Sequence, residues 1–234
     1  MSNSNGNGIV ELEDVSKVYI QGEQRIGALR GLTLTIEKGE FTAICGPSGS
    51  GKTTALNLIG ALDTPTSGTV RIEGTDLGSL SRKQLSQLRR DRIGFVFQAY
   101  NLLPVLSAYE NAEIVMAIQG VPDEERRERV MGLLDRVGLA GLEDRRPSEL
   151  SGGQQQRVAI ARAIAANPAI VLADEPTANV DSETADNLLE MMEDLNRDQG
   201  VTFLFSTHDP RVMERARRVV RLVDGTIESD EKRP

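Results

Sequence analysis

Cysteine is almost missing from this chain. The 234 residues contain one, Cys45. No internal disulfide can form, and the chain fits a reducing compartment. No C-x-x-C pair and no histidine cluster is present to suggest a structural metal; the lone histidine is His208. No apolar run approaches the roughly eighteen residues that a membrane helix needs. The opening Met1–Gly8 lacks the charge-then-apolar pattern of a signal peptide. It reads as a polar tail, as does Ser229–Pro234 at the other end. Positive charge is also short, with 27 Lys and Arg against 35 Asp and Glu and a net charge of −8. That balance argues against nucleic acid as a partner. The basic pairs Arg82-Lys83 and Arg89-Arg90 read as a solvated helix face rather than a phosphate track. These absences predict a soluble, cytoplasmic chain whose link to a membrane, if any, runs through a partner.

The length allows one large or two small domains and suffices for a sizeable core. Ile9–Gly39 alternates apolar and polar residues, as in Leu32-Thr-Leu-Thr-Ile36, which predicts antiparallel strands with one wet face. Phe41–Gln98 holds a short apolar strand at Phe41–Cys45, a helix after it, strand-like pieces near Thr69–Ile72 and Ile93–Phe97, and a polar helix near Ser81–Arg90. Residues 99–150 contain no strand pattern. They carry a helical run at Glu110–Gln119 and a second at Glu124–Val137, with Pro122 at its start and Val130, Leu133, Leu134 and Val137 at helical spacing. From Ser151 strands and helices alternate again: a helix, the strand Ala169–Ala173, a helix at Glu183–Asn196, a strand at Val201–Phe205, a helix at Pro210–Ala216 and a strand at Val219–Val223. The expectation is an α/β fold over residues 9–228, with a P-loop NTPase core, an antiparallel β subdomain and an inserted α-helical subdomain at about 99–150.

Gly46, Pro47, Ser48, Gly49, Ser50, Gly51, Lys52, Thr53 and Thr54 fit the phosphate-cradling pattern G-x-x-x-x-G-K-[ST] between a strand and a helix. Glycines let the backbone turn so that consecutive N–H groups point at a phosphate, and the helix N-terminus adds its positive end. Lys52 adds a full charge near the β- and γ-phosphates, and the Thr53 hydroxyl can ligate Mg²⁺. A second helix opens at Leu150-Ser151-Gly152-Gly153-Gln154, where small residues leave N–H groups free. The apolar strand at Ala169–Ala173 ends in Asp174-Glu175. Carboxylates at the C-terminal end of a parallel strand stand where α/β folds bind ligands. Asp174 is placed to hold Mg²⁺, and Glu175 to orient or deprotonate a water.

In this order, the motifs closely resemble the ATP-binding subunit of an ABC transporter, from about Ile9 to Ile227. The resemblance implies roles for further residues: Tyr19 stacking on adenine, Gln98 as the glutamine that meets Mg²⁺ and water, Ser151–Gln154 as the signature, Asp181 in the loop after the acidic pair, and His208 at the γ-phosphate with Glu175. Tyr19, Gln98 and His208, taken singly, read equally as packing or surface residues. Gly46–Lys52, Leu56–Gly60, Leu62-Asp63, Pro65–Gly68, Leu88–Arg90, Ile93–Gln98 and Asn101–Pro104 are similar to the lipoprotein-release and macrolide-export branch, near which a cell-division ATPase also belongs. The family works as a head-to-tail pair in which the signature of one copy faces the ATP of the other. The implied partners are therefore ATP, a second copy of the chain and an integral membrane permease that holds the chain at the inner face of the plasma membrane. Export or extraction of a substrate is the leading reading, and a mechanical ATPase acting through a permease-like partner is the alternative. A soluble repair or translation ATPase of this family does not fit the length.

Three details depart from the family pattern. Thr53-Thr54 stands where Ser-Thr is commoner, and the loop Ala178-Asn179-Val180-Asp181 replaces a Gly-Asn-Leu-Asp. An insertion at Gln21–Gly27 also follows Tyr19. The run Leu102–Leu106 is too apolar for a solvated loop and reads, with the helix Glu110–Gln119, as a docking surface for a permease helix.

Overall fold

The computed structural model of the protein describes residues 8–22 and 24–233. The tail expected at the N-terminus lies outside them, except for Gly8, which opens the first strand. The alternating segment forms a long hairpin of β1 (Gly8–Gln21) and β2 (Gln24–Glu37). Leu12 stands opposite Leu34, and Val10 opposite Ile36, so one face is buried and the other is wet. The insertion expected at Gln21–Gly27 forms the tip of this hairpin and belongs largely to its strands. Gln21 pairs with Gln24, and Tyr19 with Ile26.

β3 (Phe41–Cys45) is buried at every position and leads into α1 (Lys52–Ile59). β4 (Ser67–Ile72) follows but does not pair with β3. It lies antiparallel to β1, with Val70 opposite Leu12, and a short β5 (Thr75–Asp76) extends its edge. The buried Val70 and Ile72 thus complete the apolar face that the first hairpin begins. α2 (Arg82–Arg92) buries no residue, as its charge pattern predicts, and Ser81 and Gln84 close a capping box at its start.

β6 (Ile93–Phe97), β7 (Ile170–Asp174), β8 (Phe203–Ser206) and β9 (Arg218–Val223) join β3 in a sheet of order β10-β9-β3-β8-β7-β6. All neighbours run parallel except β10 (Thr226–Lys232), which is antiparallel to β9. β10 corrects the reading of Ser229–Lys232 as part of a tail; Pro234, in the same expected tail, lies outside the described residues. Ser229 pairs with Arg221 and Glu231 with Val219, and Asp230 binds the nearly buried Arg218 at 2.7 Å. Short polar strands look like tails until a partner strand and an ion pair hold them. β8 starts later than Val201 because the Asn196 amide takes the Val201 carbonyl (2.6 Å) and the Gly39 carbonyl (2.9 Å).

Both faces of this sheet are covered. Phe41, Ala43, Phe203 and Phe205 pack with α3 (Ala108–Gln119), α4 (Asp123–Arg136), α5 (Gly152–Ala165), α6 (Ser182–Gln199) and α7 (Pro210–Arg215). Ile44, Leu172, Leu204 and Leu222 point the other way, onto α1 and the antiparallel sheet. No strand interrupts the chain between β6 and β7, as expected of a helical insert, and Val130, Leu133, Leu134 and Val137 are buried in it. Cys45 faces the helical side. Burial pushes its thiol above the ordinary value, which makes it a core atom rather than a nucleophile. Among the described residues no helix is long and apolar enough to cross a membrane.

Candidate nucleotide site

β3, β6, β7 and β8 are neighbours and parallel, so their C-terminal ends share one edge of the sheet. The loop Gly46–Gly51 leaves β3 there, Gln98 follows β6, Asp174-Glu175 ends β7, and Thr207-His208 follows β8. Gly46 has φ 146°, and a Cβ on it would stand 2.0 Å from the Leu222 carbonyl oxygen, so only glycine fits both the turn and the close approach. Lys52 Nζ reaches back across the loop to the carbonyls of Gly46 (2.8 Å) and Pro47 (3.0 Å). The Ser50 hydroxyl is buried in the same loop with no protein partner, a donor suited to an anion's oxygen.

Register explains the placing of Asp174. It pairs with Ser206, and Ser206 with Ile44, so the three side chains share the face that carries α1. Asp174 is therefore turned toward the helix that begins with Lys52-Thr53. The Ser206 hydroxyl in this row is buried and unpartnered. Among the described residues no group of three or more His, Cys, Asp or Glu gathers as a metal site. A hard cation here would rest on one carboxylate, the Thr53 hydroxyl, the Gln98 amide and phosphate oxygens. That sparse oxygen set fits Mg²⁺, which keeps waters and leans on phosphates.

Glu175 turns away from that row because its φ is 47°, an unusual value outside glycine. Its N–H donates to the Ser206 carbonyl at 2.9 Å. Both carboxylate oxygens are taken by the segment after β8: Oε1 lies 2.6 Å from His208 Nδ1, and Oε2 accepts from Thr207 Oγ1 at 3.0 Å. The proton on Nδ1 is the one this bond requires, which leaves Nε2 free to face a ligand. Thr207 was not among the residues expected from sequence; a threonine before a histidine carries no signal without the Glu175 contact.

Gln98 stands apart from this cluster, held by Asn179. Its carbonyl accepts from Asn179 Nδ2 at 2.8 Å, and its Nε2 makes a long 3.4 Å contact with Asn179 Oδ1. Tyr100 donates its hydroxyl to the Asn179 carbonyl at 3.0 Å, and Arg162 of α5 holds the Tyr100 and Asn101 carbonyls. Asn179, Tyr100 and Arg162 were also missed, since they lie far apart in sequence.

The signature segment sits beside them. Ser151 caps α5 through a capping box with Gln154. A Cβ on Gly153 would stand 2.3 Å from Thr184 Cγ2, and one on Gly152 2.8 Å from the Tyr100 hydroxyl. The glycine pair thus lets this helix end pack against α6 and the segment after β6 while its first N–H groups stay open. Buried Gln156 ties the same helix to the Pro176 carbonyl (2.7 Å), next to Glu175. Asp181 caps α6. Thr184, through its N–H (2.9 Å) and hydroxyl (2.7 Å), takes both carboxylate oxygens and holds the group below the usual carboxylate range. Val180 packs against the helical core, so its departure from leucine falls on packing. Tyr19 lies on the hairpin, 38% exposed.

Residues 29–178 match the ABC transporter family. The chain belongs to that family. It is 50% identical over 222 residues to the lipoprotein-releasing system ATP-binding protein LolD of Anaeromyxobacter dehalogenans, covering 94% of this chain and 93% of that one. It is 49% identical over 224 residues to the macrolide export ATP-binding/permease protein MacB of Syntrophobacter fumaroxidans; that match covers 95% of this chain but only 31% of that relative's length. Among solved structures, the cassette MJ0796 of Methanocaldococcus jannaschii, a dimer in a post-hydrolysis state bound to ADP and Pi, superposes with a TM-score of 0.87 at 45% identity, covering 95% of this chain and 98% of that one. The relatives named LolD and MacB match the lipoprotein-release and macrolide-export branch expected from sequence. As an ABC cassette of this branch, the chain binds ATP and hydrolyses it.

Proposed function

We propose that this ABC cassette drives export or extraction of a substrate through a membrane permease, working as a head-to-tail pair closed by MgATP. The observation that carries the reading is the division of the site. The loop Gly46–Thr54, Asp174, Glu175 and His208 share one sheet edge, while the open end of the signature helix packs against Tyr100 after β6 and Thr184 of α6. A second copy, turned head to tail, would bring that helix end to the γ-phosphate opposite Lys52. The loop N–H groups, Lys52 and Ser50 would then bind the phosphates, Tyr19 the adenine, and Ser151–Gln154 and Asp181 of the second copy the far side. Thr53, Gln98 and Asp174 would hold Mg²⁺, which would supply charge neutralisation on the phosphates. Glu175, fixed by Thr207 and His208, takes the proton of the attacking water. Loss of the γ-phosphate removes the bridge between copies, a switch by differential contact.

The pair is tested with Glu175→Gln protein in light scattering. ATP is expected to raise the mass about twofold from monomer, and ADP to leave it unchanged. A dimer with either nucleotide, or a monomer with both, sinks the closed pair.

A permease needs a surface on the cytoplasmic partner, and the helical subdomain offers one. Leu103, Val105 and Ile118 are 43%, 72% and 63% exposed. The buried Asn111 fixes their loop, accepting from the Leu103 N–H and donating to the Leu103, Leu106 and Ser107 carbonyls. Leu102 and Leu106, expected in the same patch, are half-buried, and Leu102 packs on the core. A helix of the permease lying on this patch would tether the chain at the membrane's inner face. Leu103→Ser with Val105→Ser should therefore leave the melting temperature and ATP affinity of the isolated chain unchanged and reduce its recovery with membranes. Undiminished recovery means that the permease docks elsewhere.

A further inference from the structure

The stretch Leu62–Gly68 carries part of the branch resemblance but none of the chemistry above. In the fold it connects α1 to β4 and clamps the end of β1. The Thr66 N–H donates to the Ser16 carbonyl (2.8 Å), and the Val18 N–H to Thr66 Oγ1 (3.0 Å). Asp63 stands at its centre. Its Oδ1 accepts from Lys17 Nζ at 2.6 Å and from the Thr64 N–H at 2.7 Å, and its Oδ2 accepts from the Tyr19 hydroxyl at 3.0 Å. Lys17 donates once more, to the Thr64 carbonyl at 2.7 Å. Its ammonium lies over the Tyr19 ring, 5.0 Å from the centroid, well within cation–π range.

The three residues make a buried-to-exposed gradient. Lys17 is buried, Asp63 half-buried, and Tyr19 open to solvent. Burial alone would raise the Asp63 carboxyl, but the bonds from Lys17, Thr64 and Tyr19 outweigh it and hold the group below its ordinary range. The ion pair is therefore formed at neutral pH. The cluster also sits next to the phosphate loop. Val18 pairs with Gly27, and a Cβ on Gly51 would stand 2.5 Å from the Ala28 carbonyl oxygen.

We propose that Lys17 and Asp63 are positioning residues that make Tyr19 a preset platform for the adenine base. Asp63 fixes the ring through its hydroxyl. The Lys17 ammonium covers one ring face, leaves the opposite face for the base and draws π density from it. An electron-poor ring stacks better on an electron-rich purine, and a ring already held in place loses little freedom on binding. The inference rests on the reading of Tyr19 as the adenine contact. It assigns part of the base-dependent affinity to a lysine and an aspartate that act through Tyr19.

The test compares MgADP with magnesium pyrophosphate, which has the two phosphates of ADP and no base, by titration calorimetry on the full chain. Lys17→Met is expected to weaken MgADP about fivefold, the scale of a partly desolvated cation–π contact, and to leave pyrophosphate unchanged. Lys17→Arg, which keeps a cation over the ring, should restore MgADP. Tyr19→Ala is the control for the underlying reading. If Tyr19→Ala weakens MgADP and Lys17→Met does not, Tyr19 stacks without help and the inference is overturned. If neither variant matters, the adenine reading itself is wrong. If Lys17→Met weakens both ligands equally, or Lys17→Arg fails to restore MgADP, the lysine is a strut of the fold and not a support for the base.

Discussion

Glu175→Gln is expected to keep nucleotide binding and lose ATP turnover by about 10²-fold or more, the range of a positioned general base. The geometry makes this a clean substitution. A glutamine is the same size, and its amide can be turned so that the oxygen accepts from His208 Nδ1 and the nitrogen donates to Thr207 Oγ1. Both contacts of the native carboxylate, at 2.6 and 3.0 Å, can thus be kept, the one to Thr207 with donor and acceptor exchanged. The N–H of residue 175 still meets the Ser206 carbonyl, because that bond belongs to the backbone. What disappears is a site that can take a proton from water. Steady-state hydrolysis and ATP affinity, measured on the same preparation, check this. Near-normal turnover would remove Glu175 from the chemistry and leave it as an anchor for the segment after β8.

Lys52→Ala is expected to weaken ATP binding by about 10- to 100-fold, the scale of one or two hydrogen bonds to a charged group. It should also lower hydrolysis by roughly 10³-fold, since the charge lost is one that faces the developing negative charge. Lys52 is the first residue of α1, and its ammonium spans the loop to Gly46 and Pro47. With a phosphate present, those donors can turn to its oxygens. The alanine variant keeps the helix start, since alanine is a strong helix former and the N–H at position 52 is retained. Calorimetry with ATP and a thermal melt separate loss of charge from loss of fold. Unchanged affinity and turnover would mean that the loop does not hold phosphate.

These two residues could be placed from sequence because their signals are local. The loop Gly46–Thr54 needs a fixed spacing within one turn, and β7 needs four buried apolar residues before Asp174. The same holds for the capped starts of α2 and α5, where a serine and a glutamine three residues later leave a readable mark. Periodicity likewise located the antiparallel hairpin and the buried face of α4, since those patterns depend only on neighbours a few residues away.

Sequence alone located most of the strands and helices, the loop Gly46–Thr54 between a strand and a helix, and the two carboxylates that end a buried strand. Tertiary structure alone decided which sheet received β4, that Ser229–Lys232 is a strand, that Asn179 holds Gln98 from 81 residues away, and that Lys17 reaches Asp63 across 46. The reason is one of range. Backbone conformation and amphipathic faces are set by interactions between near neighbours. Strand pairing and side-chain bonds between distant segments come into being only when burial brings those segments together, and a polar residue carries no mark of the partner it will meet there.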